Sequence, residues 1–346
     1  MHFGFTAAQE GLRTTTADLL AGASSPAAVR RAMDSETGID ADLWAAMSDA
    51  GLLGRADFVD VAVVAEELGA ALACVPYLST AVLAAAVVGE VPAGVATVAF
   101  VDDRGRWDDA GAAVTASPTG GGWALDGHAS FVLDGTAADV LVVAAGPSLF
   151  VVEAGAPGLA RSPLATVDRT RRLARLELVG TPARMLGAGG AGRPVLDRAL
   201  DLGAVALAAE SVGGARRCLD LALAHVRSRF QFGRPLGGFQ AIQHALADVL
   251  VDVESARAAA YAAAWTATAR PDGLPEAAAM AKACCSEAFA RAAAVALHLH
   301  GALGFTWDHD VHLWFKRARS SQLLLGDPAF HRERLAGRIG LPPPQR

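Results

Sequence analysis

The chain changes its sequence pattern twice, and these changes restrict the fold more than any other feature. Apolar residues recur at helical spacing over 6–88, six short Val- and Thr-rich runs separated by Gly, Pro and Asp fill 95–186, and helical spacing returns over 194–339. The pattern predicts an α+β protein. We expect an N-terminal helical domain at 1–92, a middle β domain (barrel or sandwich) at 93–190 and a C-terminal four-helix bundle at 191–346.

Composition narrows the class of protein. With 53% hydrophobic residues, 19% charged residues and a formal net charge of −6, the sequence is typical of a compact, mildly acidic globular protein and argues against a nucleic-acid binder. The most apolar run, which starts at Ser79, contains Glu90 and Pro92 and falls short of the roughly 20 residues that a membrane span needs. No signal peptide is recognisable at the N-terminus, so we expect a cytoplasmic protein without membrane insertion.

Two clusters interrupt the alanine-rich helical pattern of the C-terminal region. The first, RSRFQFGRPLGGFQAIQHALADVL, runs from Arg227 to Leu250. Its arginines and aromatic residues suit a phosphate group beside a flat ring, although an ordinary basic loop has the same composition. The second, HLHGALGFTWDHDVHLWFKRARSSQLLLGDP, runs from His298 to Pro328 and joins a glycine-rich turn to a helix. Its histidine and aspartate residues imitate a metal site, but we expect no metal there.

The order of residues in RFQFGRPLGGFQAIQHALADV resembles a signature of the acyl-CoA dehydrogenase family, and the second cluster resembles another signature of that family. AEELGAAL, LDGHASFVLDGTAADVLVV and DRTR fit as well, so the resemblance covers almost the whole chain and points to the short actinobacterial type. It implies an FAD enzyme that oxidises an acyl-CoA thioester between its α and β carbons. It also implies a homo- or hetero-oligomer, a dimer of dimers, with an electron-transferring flavoprotein as electron acceptor.

The resemblance also implies a set of cofactor-binding residues. Arg229 would pair with the FAD pyrophosphate of a neighbouring subunit, Phe232 would pack near the adenosine end, and the turn that begins at Gly301 would complete the site. The run at 131–133 takes the place of a strand that lies over the flavin. The full set is Phe131, Leu133, Arg229, Phe232, Gly233, Gln240, His298, Gly301, Ala302 and Asp327.

The catalytic base of the family has no counterpart. Its usual glutamate position falls on Leu325, and a second known position falls on Gly203. Two carboxylates lie nearby as candidate bases, Asp327 and Asp201, although Asp327 also suits the N-cap of a helix. The flavin-facing run of the family's β domain is also absent, since residues 98–109 read VAFVDDRGRWDD.

Two functional hypotheses follow from these departures. In one, the chain is the base-lacking partner in a heteromeric acyl-CoA dehydrogenase and lends Arg229, Phe232 and the glycine turn to a second dehydrogenase subunit. In the other, it works alone with Asp327 or Asp201 as base. A flavin-free scaffold, or a flavin monooxygenase or nitroalkane oxidase on the same fold, stays open as an alternative.

Overall fold

The computed structural model describes residues 4–105, 107 and 113–341, and helices account for this chain up to Val88. Asp40 accepts a hydrogen bond from the backbone of Leu43 and caps the third helix. The helical interpretation of 6–88 is therefore confirmed, although its last long segment contains a π-helix. The elements are α1 (Ala7–Ala23), α2 (Pro26–Asp34), α3 (Ala41–Asp49), α4 (Phe58–Ala71), the π-helix Tyr77–Ala84 and α5 (Ala85–Val88).

A seven-stranded sheet follows. Its order is β1-β4-β5-β7-β3-β2 with β6 paired to β7, and all pairs except the parallel pair β1–β4 are antiparallel. Six strands match the predicted ones, while β6 was not predicted. Gly111 and Ala112, which begin one predicted strand, lie outside the described residues. The strands are β1 (Ala96–Ala99), β2 (Val114–Thr119), β3 (Gly122–Leu133), β4 (Val140–Ala145), β5 (Ser148–Glu153), β6 (Leu159–Pro163) and β7 (Leu173–Leu186).

Large apolar side chains from the interior strands form the core of the sheet. Leu125, Leu141, Phe150 and Leu176 are each no more than 1% exposed and belong to one buried cluster. Each fully buried side chain of this size contributes about 2 kcal/mol through removal of apolar surface from water. Strand β4 is buried at five of its six positions, so both of its faces are covered.

Long helices return after the sheet, as predicted. One of them, within Pro271–Phe305, is long and apolar enough to cross a membrane, but half of its most apolar window is buried in the protein. Core helices of folded proteins meet the same criterion, so its composition is explained by packing. The elements are α6 (Gly192–Ser228), β8 (Phe230–Gln231), β9 (Arg234–Pro235), α7 (Gln240–Ala269), α8 (Leu274–His300), α9 (Val311–Leu323) and α10 (Pro328–Arg338).

Helices α4 and α6 cross at backbone contact distance. A Cβ atom added to Gly213 would lie 1.7 Å from the carbonyl oxygen of Glu66, and one added to Gly69 would lie 1.9 Å from the carbonyl oxygen of Glu210. No side chain fits at either position, so glycine is required by the crossing itself. The contact ties α4 to the C-terminal helices.

The chain divides into two compact units that interleave in sequence. One contains the described residues up to Arg30, Arg55–Ala73 and the chain from Ala204 onward, and the other contains Arg31–Gly54 and Cys74–Gly203. The first therefore combines α1 and α4 with the C-terminal helices, and the second contains the sheet. The domain boundaries near residues 92 and 190 stay a prediction from sequence.

Candidate cofactor site

The RFQFGRP sequence folds into a tight hairpin after α6. Phe230 pairs with Pro235 and Gln231 with Arg234, which leaves Phe232 and Gly233 in the turn with φ angles of 53° and 79°. Two-residue turns with positive φ at both positions favour Asn and Gly, and a bulky residue there is strained. Phe232 thus has a strained backbone conformation, and its side chain is 89% exposed.

The backbone of Arg229 is fixed while its side chain is exposed. Its N–H donates to the carbonyl oxygen of His225 over 2.9 Å, and its own carbonyl accepts from the N–H of Leu236 over 2.9 Å. The Arg234 guanidinium stacks 4.0 Å from the centre of the Phe239 ring. Arg229 therefore offers a solvent-exposed cation beside exposed aromatic rings, and the exposed Gln240 begins α7 next to it.

The glycine turn after α8 has an equally specific backbone. Gly301 adopts φ 61° and ψ −147°, a region that essentially only glycine occupies. The following residues leave large apolar side chains exposed, with Phe305 at 71% and Trp307 at 55%. His298 and Ala302 are exposed, whereas His300 is buried.

The hairpin and the glycine turn begin side by side. The ring of His225 near the end of α6 lies 4.2 Å from the ring of His300 at the end of α8, measured between centroids. The segments 225–240 and 298–309 therefore occupy one end of the helical bundle, which we call the bundle end. It brings together Arg229, Phe232, Gly233, Gln240, His298, Gly301 and Ala302, all of them residues that the sequence predicted.

The loop at the usual base position lies apart from that surface in a buried setting. Leu325 has φ 59°, a left-handed conformation, and is only 5% exposed. The next residue but one, Asp327, caps α10 by accepting a hydrogen bond of 2.7 Å from the N–H of Phe330. The interpretation of Asp327 as an N-cap is confirmed, and its role as a base stays a prediction.

Two buried side chains hold this loop by its carbonyl oxygens. The Lys282 ammonium, which is fully buried, donates to the carbonyl oxygens of Gly326 (2.9 Å) and Gln322 (3.3 Å) and to the Ser286 hydroxyl (3.0 Å). His331 Nε2 lies 2.8 Å from the carbonyl oxygen of Leu325 and must donate to it. Burial, followed by the charge of Lys282, lowers the pKa of His331 to about 4, so the ring is neutral at pH 7.

Lys282 was not predicted as a functional residue. The sequence holds only two lysines, and this one interrupts an apolar stretch that reads AAAMAKACC. A charged residue in a buried helix usually has a structural or catalytic role, because burying a charge costs free energy. The contrast between this lysine and its apolar neighbours is the feature of the sequence that could have identified it.

The other candidate carboxylates lie inside helices. Asp201 is buried in α6 at 2% exposure. Glu210, farther along α6, forms an ion pair of 2.7 Å with Arg317, and both side chains are largely buried. Glu210 is therefore a bundle-internal carboxylate. Asp201 as a base stays a prediction.

The β-domain residues predicted to face a flavin offer no side-chain hydrogen bond. Leu133 is 5% exposed in the sheet, and Phe131 lies at a register shift between β3 and β7 with φ 55°. A Cβ atom on Gly105 would lie 3.5 Å from the Phe131 ring, so the 102–105 turn lies against that ring. Asp103 in this turn bonds to Arg175 and Ser130, and these hydrogen bonds lower the pKa of its carboxyl group.

FAD carries a pyrophosphate and two flat ring systems, and the two predicted halves of its site fit it differently. The bundle end has the exposed cation, the exposed aromatic surface and the side-chain-free turn that such a group requires. The strand at 131–133 has an aromatic residue covered by a turn and two buried aliphatic residues, so its side chains do not fit an isoalloxazine ring. The residues of the bundle end therefore fit such a group, and the side chains at 131–133 do not.

Comparison with known proteins gives a consistent result. The family model described as acyl-CoA dehydrogenase, C-terminal domain, matches residues 190–340. The chain is 37% identical over 338 residues to acyl-CoA dehydrogenase IpdE2 of Mycobacterium tuberculosis, which covers 92% of each chain. It is similar to the Tcur3481-Tcur3483 steroid ACAD (32% identity, TM-score 0.85, 96% of this chain and 97% of that one). It is also similar to the ChsE4-ChsE5 complex from Mycobacterium tuberculosis (28% identity, TM-score 0.88, 99% and 100%).

Proposed function

The chain belongs to the acyl-CoA dehydrogenase family, a family of oxidoreductases, and we propose that it is one subunit of a heteromeric, FAD-dependent acyl-CoA dehydrogenase. One observation carries the proposal: the bundle end is intact and exposed, while neither base position, Leu325 or Gly203, holds a carboxylate. The structural neighbours support it, because one of them is the complex of two different chains, ChsE4 and ChsE5.

Bound FAD supplies the hydride acceptor for the α,β-dehydrogenation of an acyl-CoA thioester. In this proposal the chain binds and orients that group from one side. Arg229 neutralises the pyrophosphate through charge-assisted hydrogen bonds, and Phe232 covers an apolar ring face. Gly301 lets the turn lie close to the cofactor because it carries no side chain. Gly233, Gln240, His298 and Ala302 belong to the same surface.

The second subunit has to supply what this chain lacks, namely the base that removes the α proton and the β-domain seat for the flavin. Because the side chains at 131–133 offer no donor, we assign Phe131 and Leu133 a structural role in the sheet. Asp327 and Asp201 are not required as bases in this arrangement. An electron-transferring flavoprotein stays the predicted electron acceptor.

The substrate class that we propose is the CoA thioester of a steroid-derived acid. Support comes from the similarity to a steroid ACAD at 32% identity over nearly the whole of both chains. Oxygen-dependent turnover without any acyl-CoA would instead favour a flavin monooxygenase or nitroalkane oxidase.

The visible spectrum tests the proposal. The chain is purified alone and again with the dehydrogenase subunit encoded beside it, and a steroid acyl-CoA is added without oxygen. We expect a colourless lone chain and a yellow pair whose flavin absorbance bleaches. A yellow lone chain that bleaches by itself would refute the heteromeric proposal and would make Asp327→Asn and Asp201→Asn the next variants. A colourless, inactive pair would indicate a scaffold.

A matched pair of arginine variants localises the cofactor surface. Arg229→Ala should lower FAD retention by the pair at least tenfold, since a charged hydrogen-bonded contact is worth about 1.5–3 kcal/mol. Arg270→Ala removes the same charge at the far end of the 30-residue helix α7, about 45 Å away. It should leave retention unchanged. Equal effects of the two changes would mean that Arg229 has no direct contact with the cofactor.

A further inference from the structure

Three histidine rings stack within the bundle end. His300 lies between the other two, with ring centroids 4.2 Å from His225 at an interplanar angle of 31° and 4.5 Å from His309 at 53°. His225 lies four residues before Arg229, and His300 immediately precedes Gly301. The stack therefore joins the bases of the two segments that the proposed function assigns to the cofactor.

The Nδ1 atoms of two of the rings form hydrogen bonds with the backbone. His300 Nδ1 lies 2.7 Å from the carbonyl oxygen of Ala296 and must donate to it. His309 Nδ1 lies 3.1 Å from the N–H of Val311 and accepts a hydrogen bond from it. Among the residues that the structure describes, no group of three His, Cys, Asp or Glu side chains has metal-binding geometry. These rings therefore meet by packing.

We propose that His225, His300 and His309 are positioning residues. When stacked and neutral, they hold the Arg229 hairpin against the Gly301 turn in the arrangement that the shared FAD needs. In acid the rings take up protons and the stack separates. The inference rests on the proposed function, because it concerns how the same surface is kept in place.

The surrounding charges work against protonation of the stack. Burial lowers the pKa of His300, and so do the neighbouring His225 and His309, although its bond to Ala296 acts in the opposite direction. Burial also lowers the pKa of His225, with further contributions from His309 and Arg229. From α2, Arg30 donates to the carbonyl oxygen of His309 and pairs with Asp310.

The sign of the pH effect follows from these directions. Because the folded pKa values of His225 and His300 lie below the ordinary value of 6.5, the stack is fully stable above pH 6.5. It loses stability as the pH falls below that value, since the unfolded or separated rings take up protons more readily. Burial also lowers the pKa of the nearby His312, with further contributions from Lys316, Arg30 and His309 and an opposing one from Asp310.

The first experiment measures FAD retention by the purified pair after gel filtration at about pH 7.5 and about pH 5.5, on either side of the ordinary histidine pKa. We expect the wild-type pair to bind FAD more weakly at the lower pH, by up to about tenfold for each ring that is protonated on separation. His225→Phe keeps a flat ring that cannot be charged, so it should lose less FAD at the lower pH than the wild type does, with His300 accounting for the remaining loss. His225→Ala should lose FAD at both values. His244→Gln, an exposed histidine of α7, is the control and should behave as wild type.

Equal retention by the wild type at both pH values would overturn the proposal, as would acid sensitivity in His225→Phe equal to that of the wild type. A second readout does not depend on the cofactor: an NMR titration of the imidazole signals of the lone chain. His225 and His300 should titrate below pH 6.5, and titration at or above that value would overturn the proposal. If His225 and His300 titrate below pH 6.5 in the lone chain but the purified pair binds no FAD at any pH, the proposed function is wrong. The cofactor role of the stack is then wrong as well.

Discussion

The buried lysine of α8 gives a quantitative test of how the loop at the usual base position is held. Lys282→Met keeps the length and apolar stem of the side chain but removes three hydrogen bonds, to Ser286, Gln322 and Gly326. Bonds to a charged group contribute about 1.5–3 kcal/mol each, and the two shorter ones should dominate. Relief from burying an ammonium group offsets part of this loss, so we expect the free energy of unfolding to fall by about 3 kcal/mol.

Urea unfolding of the lone chain, followed by circular dichroism, measures this change as a lower midpoint with an unchanged slope. The only other lysine supplies a matched control. Lys316 lies 4.3 Å over the Trp307 ring, which is 55% exposed, so Lys316→Met should cost less than about 1 kcal/mol. A loss for Lys282→Met below about 1 kcal/mol, or equal to that of the control, would refute the view that Lys282 anchors the loop.

Three further predictions concern single positions. Stability should fall by up to about 3 kcal/mol between about pH 6.5 and about pH 4, because the pKa of His331 is lowered to about 4, and pH-dependent urea midpoints should be flatter in His331→Gln. Asp327→Asn keeps a good N-cap and should change stability by less than about 0.5 kcal/mol while leaving turnover of the pair intact; a loss of turnover alone would identify a base. Gly213→Ala should destabilise by at least about 2 kcal/mol in thermal melts, whereas Gly22→Ala, which meets no atom within 4 Å, should stabilise by about 0.5–1 kcal/mol; a Gly213→Ala protein as stable as the wild type would contradict the close helix crossing.

Much of the fold follows from sequence periodicity, because long helices and alternating strands carry their own pattern. The missed elements are those without such a pattern. Strand β6 reads LARSP, with two polar residues and a proline, and is held by pairing to β7. The hairpin strands are two residues long, too short for any periodicity. The π-helix at Tyr77–Ala84 has the same apolar composition as an α-helix.

The candidate site divides in a similar way. Residues adjacent in the two sequence signatures, such as Arg229 and Gly301, could be predicted from their order along the chain. Contacts between distant segments could not. The stack of His225, His300 and His309 joins the ends of α6 and α8 with the start of α9, and only tertiary packing brings these rings together.

The loop around Leu325 explains how a base can be absent while its surroundings persist. Lys282 and His331 bind carbonyl oxygens of Gly326 and Leu325, not the side chain at 325. Backbone contacts do not depend on which side chain the residue carries, so a leucine in a left-handed conformation is held as firmly as a glutamate would be. The backbone contacts therefore place no requirement on that side chain, whereas its burial favours an apolar residue such as leucine. In the proposed heteromer the loop is kept although the base comes from the second subunit.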